Sequence, residues 1–265
     1  MRRIVLMAGL IGTLVACGGS AGNVKPMHAA ETASSAPLPV SLKEPDPDVR
    51  RGLRPEYTRT NCAVLKCVAL TFDDGPAKET ELLLRILARY GVKATFFVVG
   101  RMVEENPDIL RRELMEGHEI GNHSWSHTSL AALSPDGVRA ELGRTQAAIK
   151  THTGRDTTLM RPPYGATNER VAAVARELGL AEIMWAVDPL DWKDRDSVQV
   201  RRRVLEQTGP GDIVLLHDIH LSSIEAVPEI LAGLAERGYR FVTVSELLAG
   251  TPVESGRQYR ERSTT

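Results

Sequence analysis

The sequence lacks several features that would place it in a common class. Its 33 Lys and Arg nearly balance 34 Asp and Glu, so no field of one sign indicates nucleic acid or another charged polymer as a partner. No Gly-x-Gly-x-x-Gly follows the first regular apolar run, which argues against a dinucleotide site. With 42% hydrophobic residues in 265, the composition is that of a globular protein with one large domain or two ordinary ones.

The N-terminus has the pattern of an export signal. Residues 1–3 supply positive charge, and the apolar run at 4–16 is too short to span a bilayer comfortably. Leu14-Val15-Ala16-Cys17 resembles the bacterial lipobox, in which the Cys is lipidated and becomes the first mature residue. We therefore expect a lipoprotein signal peptide over residues 1–16 and a lipid anchor at Cys17, which would hold the protein on the outer face of a bacterial membrane. A plain secretory signal or an uncleaved anchor is the alternative.

Only three cysteines are present. With Cys17 assigned to the anchor, Cys62 and Cys67 remain as an even pair in a compartment where disulfides persist. We expect them to form a disulfide that closes a small turn before the first strand, with two free thiols as the alternative.

Strand and helix patterns alternate through most of the chain. Residues 17–58 are rich in Gly, Ser, Ala and Pro without an apolar period, which predicts a flexible linker. Apolar runs predict strands at 67–72, 94–99, 118–122, 158–162, 182–187, 212–217 and 241–244. Helical patterns lie at 79–90, 107–116, 135–151, 168–178, 197–207 and 223–237. This alternation favours parallel strands joined by crossover helices in a domain over 59–250, followed by a frayed polar tail over 251–265.

Polar residues cluster at the predicted strand ends, which favours a barrel over a doubly wound sheet. In a (β/α) barrel, the C-terminal ends of all strands form one rim where active sites are built. The residues at or just past these ends are Asp73, Asp74, His123, His127, Arg161, Asp188, Asp191 and His217. We therefore predict an α/β fold, a distorted or incomplete (β/α) barrel with about seven parallel strands.

One carboxylate and two neutral imidazoles form a ligand set suited to zinc or a similar divalent ion. Three protein ligands leave a coordination position open for water, as catalytic sites require. Asp73 and Asp74 point in different directions at a strand end, and the residues alone do not decide which binds metal. His123 and His127 would lie on one side of their segment if it is helical.

Five short motifs together resemble those of the polysaccharide deacetylases, carbohydrate esterase family 4. In order they are Thr71-Phe-Asp-Asp-Gly75, His123-Ser-Trp-Ser-His127, Arg161-Pro-Pro-Tyr-Gly165, Asp188-Pro-Leu-Asp-Trp192 and Leu215-Leu-His217. The resemblance covers roughly residues 62–248. It implies a distorted (β/α) barrel and the metal-dependent hydrolysis of N-acetyl groups from amino sugars, which releases acetate and a free amine.

The resemblance also implies a metal site with its base. Asp74, His123 and His127 would bind zinc, with cobalt or manganese as alternatives. Asp73 would be the base that takes a proton from the attacking water, and Arg161 would keep that base ionised and oriented.

The remaining roles that the resemblance implies concern proton donation and the substrate pocket. Tyr164 would donate its backbone N–H to the oxyanion. His217 would be the general acid and Asp191 its partner. Trp192 and Leu215, with Tyr164, would line an apolar pocket for the acetyl methyl group.

The expected substrate is peptidoglycan N-acetylglucosamine, because a lipid-tethered exported domain meets that polymer first. Chitooligosaccharides and O-acetyl-xylan are alternatives within the family. A catalytically silent glycan-binding lipoprotein is a further alternative, although such a relative would usually have lost the base, a ligand or the acid. A substrate-binding lipoprotein of a transporter would have two lobes and no metal ligands. We expect no nucleic acid or protein partner, and contact with the membrane only through the lipid anchor.

Overall fold

The computed structural model describes residues 60–262. The predicted signal peptide, the lipidation site at Cys17 and almost all of the linker lie outside the described residues. Within residues 60–262, no helix combines the length and apolarity needed to cross a membrane.

Eight strands and nine α-helices alternate through the described residues. The strands are β1 (Cys67–Asp73), β2 (Thr95–Val98), β3 (Glu119–Asn122), β4 (Leu159–Met160), β5 (Ala181–Ile183), β6 (Ile213–His217), β7 (Arg240–Phe241) and β8 (Gln258–Tyr259). The helices are α1 (Thr80–Tyr90), α2 (Gly100–Glu105), α3 (Pro107–Met115), α4 (Pro135–Thr153), α5 (Glu169–Glu177), α6 (Asp191–Asp194), α7 (Ser197–Gln207), α8 (Leu221–Glu236) and α9 (Val244–Leu247). All seven predicted strands and six predicted helices are present, while α2, α6, α9 and β8 were not predicted.

The strands form one parallel sheet that curves into a distorted barrel. Their order is β6-β1-β2-β3-β4-β5-β8, with β7 also paired to β1, and every pairing between these strands is parallel. The predicted fold class is therefore confirmed. Parallel pairing brings the C-terminal ends of the strands to one rim, where polar residues from distant motifs meet.

Strand β1 is the centre of the sheet. All seven of its residues are buried, as an apolar run without alternation predicts for a strand covered on both faces. It pairs with β2 on one edge and β6 on the other, and Asp73 lies opposite His217 in the register with β6. Cys67, the first residue of β1, is joined to Cys62 by a disulfide.

The predicted strand at 182–187 is interrupted. Strand β5 ends at Ile183, and the chain then leaves β4 and bonds to β6. The amide of Ala186 donates to the carbonyl of Ile213 at 2.9 Å, and the amide of Leu215 donates to the carbonyl of Val187 at 2.9 Å. This change of partner closes the rim end of the barrel and distorts it.

The residues after Ala249 differ from the expectation of a frayed tail. Strand β8 pairs with β5, and Glu261 forms an antiparallel bridge with Asp212 just before β6. Tyr259 is buried in the main hydrophobic cluster. The tail prediction is therefore wrong for residues 251–262, because a two-residue strand between charged residues has no apolar run to reveal it. This segment fills the gap between β5 and β6 at the end of the barrel opposite the rim.

Candidate active site

The site begins where β1 ends. Asp73 is the last residue of the strand and is buried. Asp74 follows with a left-handed backbone, φ 80°. The sharp change of direction separates the two carboxylates: Asp73 faces Arg161 and Asp74 faces His127. Nε2 of His123 lies 3.7 Å from Oδ2 of Asp73 and 3.5 Å from Oδ1 of Asp74.

Asp74 faces two histidines and forms a group that could hold a metal ion. Its Oδ1 lies 3.1 Å from Nε2 of His127 and 3.5 Å from Nε2 of His123. The three ligand atoms all lie within 4.8 Å of one another. Oδ1 of Asp74 is buried and has no hydrogen-bond partner among the described residues. Buried oxygens are normally paired, so this atom fits the role of a metal ligand.

The protonation of His123 also fits cation binding. Its Nδ1 lies 2.7 Å from the carbonyl oxygen of Arg161. A carbonyl only accepts, so Nδ1 carries a proton; in the neutral ring, the form that binds a metal, Nε2 then has its lone pair toward Asp74. Burial lowers the pKa of His127, and the nearby His123 lowers it further, which keeps this second imidazole neutral as a ligand must be.

The loop that carries the two histidines is not helical. Residues 123–127 have no regular secondary structure, and Ser124 and His127 are left-handed, with φ 66° and 57°. The condition under which four-residue spacing would place His123 and His127 on one side, a helical segment, is therefore not met. An irregular loop nevertheless brings the two rings to a centroid separation of 5.0 Å.

Asp73 is held by a fully buried arginine. Nη1 of Arg161 donates to Oδ1 of Asp73 at 2.7 Å and to the hydroxyl of Thr71 at 2.8 Å. Its Nε and Nη2 donate to the carbonyls of Ile183 and Met184 at 2.9 and 3.1 Å. These contacts hold the guanidinium rigidly, so that a buried cation orients the Asp73 carboxylate through a charge-assisted bond.

His217 and Asp191 form a second buried pair across the site. Nδ1 of His217 lies 2.9 Å from Oδ1 of Asp191. Oδ2 of Asp191 accepts from the backbone amide of His217 at 2.9 Å and from the hydroxyl of Ser223. Burial lowers the pKa of His217, but the hydrogen bond and charge of Asp191, with the charges of Asp73 and Asp74, raise it to about 9. His217 is therefore an imidazolium at neutral pH and can donate a proton.

Asp73, His123, His127 and His217 border one cavity of about 380 Å³. Its lining residues are Asp73, His123, His127, Pro162, Tyr164, Trp185, Asp188, Trp192, Leu215 and His217. Tyr164, Trp192 and Leu215, which the sequence predicts as pocket residues, lie in this lining. Trp185 also lies there, although sequence reasoning missed it as a pocket residue.

Tyr164 has a backbone suited to oxyanion binding. It is left-handed, with φ 62° and ψ 10°, in the short 3₁₀ turn Pro163–Gly165. The amides of Gly165 and Ala166 donate to carbonyls of the same turn, whereas the Tyr164 amide has no hydrogen-bond partner among the described residues. Its side chain is 70% exposed at the cavity mouth, and the phenol donates to the carbonyl of His127 at 3.3 Å.

The chain resembles known proteins over most of its length. A family model described as polysaccharide deacetylase matches residues 60–183. A peptidoglycan-N-acetylglucosamine deacetylase from Listeria monocytogenes is 42% identical over 237 residues, which cover 86% of this chain and 50% of that protein. A solved structure described as T48 deacetylase with substrate is 41% identical with a TM-score of 0.73, and the match covers 76% of this chain and 99% of that one. The chain belongs to the polysaccharide deacetylase family.

A further member of the family has been solved with a metal. An acetyl xylan esterase from Clostridium thermocellum, in complex with a cobalt ion, is 37% identical with a TM-score of 0.70, over 74% of this chain and 98% of that one. The present chain spans about half the length of the Listeria relative. The family model ends at residue 183, so Asp191 and His217 lie beyond it.

Two further carboxylates hold the turns around the site in this member of the family. Oδ1 of Asp188 accepts from the amide of Leu190 at 2.8 Å and shapes the loop before Asp191. Asp218, which the sequence analysis did not single out, is fully buried and accepts from the hydroxyl of Thr80. A Cβ at Gly75 would lie 2.2 Å from Oδ2 of Asp218, so the turn after Asp74 requires glycine. An acidic residue directly after His217 was the signal available in the sequence.

Proposed function

We propose that this chain is a metal-dependent deacetylase that hydrolyses N-acetyl groups of peptidoglycan N-acetylglucosamine and releases acetate. The observation that carries the proposal is the meeting of three units around one cavity. A potential metal site, a carboxylate held by a buried arginine, and a protonated imidazole supply the three functions that amide hydrolysis requires.

Asp74, His123 and His127 would hold the metal, for which we propose zinc, with cobalt or manganese as alternatives. A metal bound there would polarise the acetamide carbonyl and make water a better nucleophile at neutral pH. The set of one carboxylate and two imidazoles suits these ions, and the relative that contains cobalt supports a divalent cation.

Proton transfer falls to the protein side chains. Asp73, held in place by Arg161, accepts the proton of the attacking water. His217, kept protonated by Asp191, donates a proton to the leaving nitrogen, because an amine leaves only after protonation. The free amide of Tyr164 donates to the developing oxyanion, a contribution of roughly 3 kcal/mol in comparable sites.

The acetyl group would lie in the apolar part of the cavity. Leu215, Trp192 and Tyr164 provide the wall for the methyl group, and Trp185 extends it. A pocket of this kind favours a small acyl group and positions the carbonyl for attack.

The substrate assignment rests on two arguments. The Listeria relative is named for peptidoglycan N-acetylglucosamine, and the predicted lipid anchor at Cys17, behind a signal peptide over residues 1–16, would place the enzyme beside that polymer. Chitooligosaccharides are an alternative, as is O-acetyl-xylan, which the acetyl xylan esterase relative favours. A catalytically silent glycan-binding protein is disfavoured because the proposed base, ligands and acid are all present.

The test is to measure metal content and acetate release on the purified full-length chain. Mass spectrometry should find one zinc per chain, and acetate release from N-acetylated peptidoglycan should exceed that from chitin oligomers and acetylated xylan. Chelation should abolish release and zinc should restore it. Asp74→Ala and His123→Ala should each lose stoichiometric metal, and full metal content in both variants would refute the ligand assignment. Metal binding without release from any of these glycans would refute the proposed substrates.

A further inference from the structure

The loop that carries His123 and His127 is attached to helix α4 by one carboxylate. Oε2 of Glu141 accepts from the backbone amides of Trp125 and Ser126 at 3.0 and 2.8 Å. Its Oε1 accepts from the hydroxyl of Ser126 at 2.9 Å. The Glu141 side chain therefore accepts three hydrogen bonds, all from Trp125 and Ser126, which lie between the two histidines.

The loop needs such support because its backbone conformation is unfavourable. Ser124 and His127 are both left-handed non-glycine residues, a state that persists only where the surroundings impose it. Within the loop, the amide of His127 donates to the hydroxyl of Ser124 at 3.0 Å. The amides of Trp125 and Ser126 have no other acceptor among the described residues, so their pairing depends on Glu141.

The opposite side of the loop is fixed by helix α2. The amides of Gly100 and Arg101, at the start of that helix, donate to the carbonyls of Ser124 and Trp125 at 3.0 and 3.1 Å. The Trp125 ring is 8% exposed. Helix α2 thus holds the loop through two carbonyls, and Glu141 holds it through the amides of Trp125 and Ser126, while the amide of Ser124 donates to Oδ1 of Asn122 at 2.9 Å. Removal of Glu141 therefore frees the amides of Trp125 and Ser126 and leaves the other contacts in place.

We propose that Glu141 is a positioning residue for the metal site, one that fixes the Nε2 atom of His127 relative to Asp74 by holding the preceding two amides. The inference rests on the metal site of the proposed function. Among the described residues, no hydrogen bond or ion pair joins Glu141 to Asp74, His123 or His127, so its polar contacts reach the site through the loop. Outer residues that orient metal ligands typically change metal affinity by about 10- to 100-fold when removed.

The test compares four variants of the full-length chain, each stripped of metal and titrated with zinc against a competing chelator. Glu141→Ala should weaken zinc binding by about 10- to 100-fold. Glu141→Gln should stay within a few-fold of wild type, because its amide oxygen can accept both backbone N–H groups. Glu141→Asp keeps the charge but is one methylene shorter, and should lose affinity as the alanine variant does. Glu225→Ala, at an exposed position in helix α8, is the matched control and should bind zinc as wild type.

A residue that only supports the fold would lower the thermal midpoint of the metal-free protein without changing zinc affinity. If Glu141→Ala fails to fold, the comparison between the Gln and Asp variants carries the test. Wild-type affinity in folded Glu141→Ala, or in Glu141→Asp if the alanine variant does not fold, would overturn the role of Glu141 alone. Absence of zinc binding in the wild type would overturn the proposed metal site and this role with it.

Discussion

The pairing of His217 with Asp191 makes a quantitative prediction. Asp191→Asn keeps the size of the side chain but removes the charge that holds the imidazolium. The pKa of His217 is raised from 6.5 to about 9, a shift of roughly 2.5 units, and at about 1.4 kcal/mol per unit this favours the charged form by roughly 3 kcal/mol. Without the Asp191 charge, the pKa of His217 should fall toward its ordinary value, because burial lowers it and only the charges of Asp73 and Asp74 remain to raise it.

The raised pKa of His217 also determines how the effect of Asp191→Asn on stability depends on pH. The raised pKa of His217 stabilises the folded state fully below about pH 6.5, and this contribution is lost as the pH rises through about 9. The free energy of unfolding of Asp191→Asn should therefore fall below that of wild type by up to about 3 kcal/mol at about pH 6, and by much less at about pH 10. The pKa of Asp191 itself is lowered, chiefly by His217 against the effect of burial, so its own titration lies far below this window.

Two measurements on the metal-free protein check this reasoning. Histidine-ring NMR follows the titration of His217, and urea unfolding at several pH values gives the stability difference. Asp188→Asn is the control, because Asp188 lines the same cavity but bonds to the amide of Leu190. A His217 titration in Asp191→Asn that coincides with wild type would refute the assignment of the shift to Asp191.

Three further predictions follow from other parts of the molecule. His217→Ala should retain its metal but lose about 10²- to 10⁴-fold in turnover; acetate release at the wild-type rate would mean that another group is the acid. Burial, reinforced by the charge of Asp218, raises the pKa of Glu113 well above its ordinary value, so the folded protein keeps a proton that the unfolded chain loses. The stability advantage of Glu113→Gln should thus grow by about 1.4 kcal/mol per pH unit above roughly pH 4.5, and parallel unfolding curves would contradict this. Tyr259→Ala should cost roughly 3 kcal/mol, against less than about 0.5 kcal/mol for the exposed Met115→Ala; a similar midpoint for both would show that the tail does not support the core.

The sequence predicts the strands that carry strong local patterns. Strand β1 is read directly from an apolar run followed by two aspartates, because a strand buried on both faces needs no alternation. The positions of Arg161 and His217 in or at the end of other runs then predict a common rim. In the structure His217 lines the cavity together with Asp73, and the fully buried Arg161 donates to Asp73.

Features that depend on long-range partners could not be predicted in this way. Residues 182–187 form one apolar run, yet the chain changes partner after Ile183, and only the position of β6 explains why. Strand β8 is too short and polar to give a pattern. The loop from His123 to His127 is left-handed at two residues, a conformation that local preference does not favour, and its contacts to Glu141 and helix α2 come from distant parts of the chain.

The central position of β1 sets the order in which the site is assembled during synthesis. Asp74, His123 and His127 leave the ribosome together with β1, β2 and β3, whereas the bond from Thr71 to the carbonyl of Val214 spans 143 residues. The proposed metal ligands are therefore made long before β6, which covers the second edge of β1 and carries the proposed acid His217. Such distant pairing is slow and leaves a strand edge exposed to other chains. The gap between β5 and β6 is filled by β8, so this sheet is complete only when residues 258–261 have joined it.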